Sequence, residues 1–361
     1  MKNIYVHLSE KLKEKTPLAL ATIIDTQGST PQVTGASALF SSKGLLEGTL
    51  GGGLLEADAQ KEAIRALKEK TSGLFQFSLR DDISDEGAIC GGDVRILIDT
   101  TPDKYREAFH VLNQSLEQQK PGILATFISE LPERKASLLR LWIEKKEKYD
   151  TALEKYFSFF QDEIDGVFLK GQPKLLKIRE SIFPEKGINN LLFLDPVFPL
   201  PQLVIAGAGH IGQALSHLGS LLSFDVTVID DRSGYANRER LPDADHIVVK
   251  DIGQAIRDFR ISSDTFVVIV TRGHQHDAEA LRQCISSDAA YIGMIGSIRK
   301  IELMRKKFLE EGWATLRQFN RVHAPIGINI NSKTVEEIVV SIAAQLVQVR
   351  SQIQEKGKEK K

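Results

Sequence analysis

The sequence predicts an α/β protein: a C-terminal, Rossmann-like doubly wound parallel sheet preceded by a smaller N-terminal α/β domain. Three observations lead there. Past residue 200, short apolar runs alternate with helical stretches, the pattern of parallel strands joined by crossover helices. One run, Gln202–Ala206, leads straight into Gly207-Ala208-Gly209-His210-Ile211-Gly212, a glycine fingerprint that opens a helix. The length, 361 residues, allows two folded units at roughly 150 residues each.

The elements follow in order. Ile4, Leu8 and Leu12 recur at helical spacing until Pro17, and residues 18–24 read as a buried strand. After the turn Gly28-Ser29-Thr30-Pro31, residues 36–40 and 45–50 flank Ser41-Ser42-Lys43-Gly44 as a hairpin. Gly51, Gly52 and Gly53 then precede a helix over 54–70, and strands are predicted at 74–79 and 94–98. Residues 103–190 mix both periods and read only as α/β. Pro196, Pro199 and Pro201 mark a stiff extended linker, which divides the chain into domains 1–195 and 196–361. Beyond it, strands are predicted at Gln202–Ala206, 226–230, His246–Val249, 265–271 and 291–295, with helices at 212–222 and 278–285. A capping box, Thr334 to Glu337, opens a last helix running to about residue 349.

Composition excludes several classes of function. Hydrophobic residues are 42% and charged residues 26%, too apolar for disorder. Lys and Arg number 47 against 48 Asp and Glu, so the basic excess of a dedicated nucleic-acid binder is missing. No apolar run nears the ~18 residues of a membrane span, and the N-terminus has no apolar core of a secretory signal. Cys90 and Cys284 are too few for a disulfide framework. A cytoplasmic protein is expected.

The fingerprint has a physical reading. Gly207 permits the tight turn, Gly209 leaves the backbone bare to a pyrophosphate, and Gly212 lets the helix pack closely on the strand. The free N–H groups and the helix dipole then face the anion. Asp230 lies 23 residues beyond Gly207, near the ~20 expected for the acid that binds a ribose hydroxyl. His210 either donates to a phosphate or fills space. The bland alternative is a scaffold whose nucleotide site is empty.

Ligands of such sheets bind beyond the carboxyl ends of the strands, so the other loops there are candidates too. Arg272-Gly273-His274-Gln275-His276-Asp277 offers polar ligand contacts, a metal site, or a helix cap from Asp277 with solvated histidines. Gly296-Ser297-Ile298-Arg299-Lys300 suits an anion or a plain N-cap. Ala324-Pro325-Ile326-Gly327 reads as a turn. In the first domain, Gly51, Gly52 and Gly53 allow close approach of a ligand, a tight turn or a subunit contact. Glu56 either takes a ligand donor or favours the helix dipole. Cys90, beside Gly91 and Gly92, is either a small core residue or an accessible soft ligand. Cys284, among Leu281 and Ile285, reads as core.

In this order the motifs GSTPQVTGA, GGGLLEAD, ICGGDVRILID, DPVFPLPQLVIAGAGHIGQAL, VTVIDDR, TRGHQHD, YIGMIGSIRK and APIGINI resemble the xanthine dehydrogenase accessory protein family. The resemblance spans most of the chain. It implies a small N-terminal α/β domain, a C-terminal Rossmann-like domain, a homodimer, and a non-catalytic chaperone of the molybdenum cofactor. The ligand implied is molybdopterin or its nucleotide form. The partners implied are xanthine dehydrogenase or another molybdenum hydroxylase, a cysteine desulfurase for sulfuration, and the enzyme that donates the cofactor. Many members carry a cysteine where this chain has Leu54, so only the Cys90 thiol remains for the molybdenum end.

On this reading Gly207, Gly209, His210 and Gly212 take the phosphate, Asp230 a sugar or pterin donor, and His274, Gly296 and Ser297 further polar contacts. Gly51, Gly52, Gly53, Glu56 and Cys90 face the molybdenum-bearing end. The fingerprint and Asp230 alone also fit an NAD(P)-dependent oxidoreductase with His274 or His276 as acid–base group. A third reading is an interaction scaffold with a decayed pocket.

Overall fold

In the computed structural model, the described residues are 3–14, 16–79, 91–144, 158–178 and 187–359. The chain divides into two compact units between Pro199 and Leu200. The first, expected to be the smaller, is the longer of the two.

The first unit holds two antiparallel sheets. Helix α1 (Ile4–Lys13) precedes β1 (Ala19–Gln27), the hairpin β2 (Ser37–Ser41) and β3 (Gly44–Gly48), helix α2 (Gly53–Glu69), β4 (Gly73–Ser78) and β5 (Asp93–Asp99). These five strands lie in the order β3-β2-β1-β5-β4. Leu55, Ala59, Ala63 and Ala66 form one stripe of α2, and their small side chains bring the helix close against Ala21, Phe40 and Ile96.

The stretch without a clear sequence period supplies α3 (Arg106–Glu117), β6 (Gly122–Glu130), β7 (Ala136–Glu144), α4 (Gln161–Lys170), β8 (Lys174–Ile178) and β9 (Asn189–Val197). The four strands form a second sheet, β7-β6-β9-β8. The predicted proline linker is thereby corrected at its start. Residues 189–197 are an inner strand, paired along its length with β6 and also with β8. Leu192 and Leu194 enter one apolar cluster while Leu191 and Phe193 enter another, so both faces of β9 are covered. Pro196 sits next to the strand's last residue, where a missing N–H costs little.

A polar network is sealed inside this unit. Arg140 Nε donates to Asp99 Oδ2 at 3.1 Å, and the Tyr5 hydroxyl donates to Asp195 Oδ2 at 2.5 Å. Burial raises the Asp195 pKa to about 6, against the partial opposition of Tyr5 and Arg140. An unfolded Asp titrates near 3.9, so the native state holds the extra proton between those values. The stability that neutral Asp195 contributes is therefore complete below about pH 4 and is lost as pH rises through about 6, a change on the order of 3 kcal/mol. Asp195→Asn removes this dependence. Denaturant melts at acid and alkaline pH check it, and an unchanged pH slope in the variant contradicts it.

The second unit is a single parallel sheet. Its strands are β10 (Gln202–Ala206), β11 (Asp225–Asp230), β12 (His246–Val249), β13 (Thr265–Ile269) and β14 (Tyr291–Met294). Their order is β12-β11-β10-β13-β14, so the winding reverses between β10 and β13. Helices α5 (His210–Leu221) and α10 (Val335–Glu359) cover one face through Leu215, Val339, Ile342 and Leu346. The other face carries α6 (Ile252–Asp258), α7 (His274–Cys284), α8 (Ile298–Glu310) and the short α9 (Leu316–Asn320). Strand residues alternate between the two cores: Leu203 and Ile205 one way, Val204 and Ala206 the other. Helix α10 runs ten residues past its predicted end. Among the described residues, no helix is long and apolar enough to cross a membrane.

Candidate functional site: two open helix starts at the switch point

The carboxyl ends of β10 and β13 are neighbours, and each strand feeds a helix through a glycine. After β10, Gly207 adopts φ +116°, and a Cβ there would lie 2.5 Å from the Val270 carbonyl oxygen of the β13 loop. The two loops are therefore pressed together, and only glycine fits. Gly212 is equally constrained, since its Cβ would stand 1.8 Å from the Gly207 oxygen. Gly209 is different. Its backbone is extended, and an added Cβ meets nothing within 4 Å.

Gly209 caps α5 without any side-chain hydrogen bond, and Gly273 caps α7 in the same way. By contrast Asp251, Ser297 and Thr315 cap α6, α8 and α9 with their own oxygens. The two helices flanking the switch point thus begin with N–H groups that no capping side chain satisfies, the arrangement that receives an anion.

Asp230 requires a correction. Both of its oxygens are engaged by the chain itself. Oδ2 accepts from Ala208 N at 2.8 Å and Arg232 Nη2 at 2.9 Å; Oδ1 accepts from Arg232 N at 3.0 Å and Arg232 Nε at 2.8 Å. Burial works to raise its pKa, but these hydrogen bonds prevail and hold it down at about 2. Four donors use the lone pairs of a carboxylate, so Asp230 braces the phosphate loop and is not a free acceptor for sugar or pterin. Arg232 also lies 3.9 Å over the Tyr235 ring, and Arg240 lies 4.9 Å from the same ring. Sequence reasoning missed both arginines. The signal was the basic residue two positions after the strand-end acid, close enough to fold back on it.

The neighbouring loop holds a second brace. Asp277, fully buried, accepts from Thr271 N at 3.1 Å and Thr271 Oγ1 at 2.6 Å, and pairs with Lys300. It stabilises the loop after β13 rather than capping α7. Lys300, weighed in the sequence as an anion ligand, is the partner of that acid, and the Ser297 hydroxyl caps α8 by accepting from Lys300 N. His274 and Ser297 line one cleft of about 860 Å³, whereas His210 lines another of about 390 Å³ with Gln213 and Arg240. Among the described residues no cluster of three His, Cys, Asp or Glu side chains is arranged to hold a metal.

In the first unit Gly51, Gly52 and Gly53 take φ of +109°, +70° and +60° in succession. Glu56 closes this loop from inside, its Oε2 accepting from Thr49 Oγ1 at 2.7 Å, Leu50 N at 2.8 Å and Gly52 N at 3.4 Å. Burial opposes ionisation, but those donors win and lower its pKa. Glu56 is thus a loop brace too, not a dipole partner alone. Gly52 and Gly53 face open space, while a Cβ on Gly51 would touch Pro31 at 3.0 Å. A Cβ on Gly92 would meet Gln27 O at 2.5 Å and Ser29 O at 2.6 Å. Residues 27–32 therefore rest against both glycine stretches and gather them at one end of this unit. Cys90 lies outside the described residues.

Cys284 sits in the core as the sequence implied, and burial pushes its thiol up to about 12. A native Cys90→Ala variant should give no fast-reacting thiol with a disulfide reagent at neutral pH. A full equivalent of rapid reaction would contradict this.

Comparison with known proteins decides the family. Residues 203–346 match the XdhC Rossmann domain, and residues 12–78 match the XdhC and CoxI family. The chain belongs to the XdhC and CoxI family. Members and relatives align over nearly all of it. A protein of Bacillus subtilis (strain 168), named as a probable subunit of xanthine dehydrogenase, is 25% identical over 98% of this chain and 99% of its own length. The uncharacterized protein YqeB of Escherichia coli (strain K12) is also 25% identical, but this chain spans only 46% of its length. PaoD of Escherichia coli (strain K12), named a molybdenum cofactor insertion chaperone, is 21% identical over 94% of this chain and 86% of its own. A crystal structure described as that of a xanthine dehydrogenase from Bacillus halodurans superposes with a TM-score of 0.72 at 25% identity, covering 96% of each chain.

Proposed function

We propose that this XdhC-type protein is a maturation factor that holds the molybdenum cofactor, as molybdopterin or its nucleotide form, for a molybdenum hydroxylase such as xanthine dehydrogenase. Membership in the XdhC and CoxI family and the name of the relative PaoD support the class of role. The observation that carries the cofactor assignment is the bare cradle at Gly209, where an extended glycine opens an uncapped helix onto empty space. The group fits there. Its phosphate needs N–H donors without a competing side chain, which the starts of α5 and α7 supply.

In this reading Gly207, Gly209, His210 and Gly212 form the phosphate loop, with Asp230 holding its shape through Ala208 N. His274 stands at the second open helix start, and Ser297, following Gly296, lines the cleft beside it. Gly51, Gly52 and Gly53, kept in shape by Glu56, offer a separate bare surface on the N-terminal unit, and Cys90 is that unit's soft donor. When bound, the cofactor carries the metal; the protein's part is to bind, orient and shield it. The protein acts as a homodimer, takes its load from a cofactor-donating enzyme, and exposes it to a cysteine desulfurase before delivery. The nicotinamide alternative is weakened by the engagement of Asp230, whose carboxylate that reading assigns to a ribose diol.

Mass spectrometry of small molecules released from protein purified without oxygen tests the proposal. A pterin phosphate, with or without an attached nucleotide, is the expected species. Protein that carries none and binds none when offered it would rule the proposal out.

A further inference from the structure

A cleft of about 860 Å³ in the C-terminal unit runs along the groove between α7 and α8, with His274 and Ser297 among its lining residues. Its walls carry Arg257, Arg282, Arg299, Lys300 and Lys307 against a single lining carboxylate, Glu279. Among the described residues, only Lys300 of these cations is drawn into an ion pair, with Asp277. Arg282 and Lys307 instead flank the Trp313 ring at 4.4 Å and 5.3 Å. Leu303, 63% exposed, also lines the groove.

The charges are spread out. Arg299 and Lys300 lie in the first turn of α8, Leu303 and Met304 in the next, and Lys307 in the one after. That spacing puts cations at both ends of an apolar middle, separated by roughly 10 Å along the helix. A compact phosphate needs donors that converge on one point. A segment with carboxylates at either end of a short apolar stretch matches the groove instead.

We propose that the α7–α8 groove docks an acidic, amphipathic segment of a partner protein, with its apolar residues on Leu303 and its carboxylates on Arg282, Arg299 and Lys307. Arg282, Arg299 and Lys307 are exposed, and among the described residues none of the three forms an ion pair. Arg282, Arg299, Leu303 and Lys307 carry none of the cofactor contacts proposed above, although His274 and Ser297 line the same cleft.

The test uses the full chain and a fluorescein-labelled peptide of about a dozen residues, with Glu pairs flanking a Leu-rich centre, followed by fluorescence anisotropy. Saturable binding is expected, weakening as salt rises. The double variant Arg282→Glu, Lys307→Glu should bind at least about tenfold more weakly, and Leu303→Ser should also lose affinity without regaining it at low salt. Both carry only exposed changes, and an unaltered thermal transition confirms that they fold. Absence of saturable binding, or equal binding by the charge-reversed variant, overturns the proposal. Displacement of the peptide by inorganic triphosphate at lower concentration than by unlabelled peptide also overturns it, in favour of a small polyphosphate ligand. The pterin assay reads a different ligand, so failure of one does not imply failure of the other.

Discussion

Gly209→Val leaves a folded protein that no longer retains the pterin. The backbone at Gly209 has φ −68° and ψ −170°, an extended conformation open to any residue, and no atom lies within 4 Å of the new Cβ. Loss of a glycine cap for a branched one costs about 1 kcal/mol at most. The added methyl groups, however, stand where an anion would approach the first N–H groups of α5. Retention measured by mass spectrometry after anaerobic purification should fall by more than about tenfold. A variant that carries as much pterin as the parent would place the ligand elsewhere.

Three residues on, the same substitution does the reverse kind of damage. A Cβ at Gly212 would sit 1.8 Å from the Gly207 carbonyl oxygen, a backbone atom that cannot swing aside. Gly212→Val therefore forces α5 off β10, where Leu215 and Leu203 share a core. The expected loss is about 3 kcal/mol or more, the upper range for overpacking, read as a lowered midpoint in denaturant. Near-parental stability would mean that α5 can shift without cost, and the rigid cradle would then be an incorrect description.

The contrast between these two glycines was legible in the sequence, because the strand–turn–helix context assigns each a distinct job. The alternation of the C-terminal strands and helices was legible for the same reason: both periods are strong and short. Strand β9 was not. Its run Leu191–Leu192–Phe193–Leu194 is buried on both faces, so it lacks the in–out alternation that marks a half-exposed strand, and the nearby prolines pointed the other way. Asp230 shows a different limit. The sequence locates an acid at the end of β11, but whether its oxygens are free depends on Arg232 folding back and on Ala208 N reaching across from the neighbouring loop. The loop contacts of Glu56 were beyond the sequence in the same manner, since three donors from residues 49–52 converge on one oxygen only once the glycine loop is wound. Acids in such loops are as often struts as ligands.

The two helix starts left without capping oxygens have a thermodynamic corollary. An unloaded C-terminal unit sits below the stability it reaches once an anion occupies them, by an amount that grows with the logarithm of ligand concentration over its dissociation constant. Limited proteolysis of that unit would then act as a gauge of occupancy, with empty protein cleared before protein that holds an anion at these helix starts.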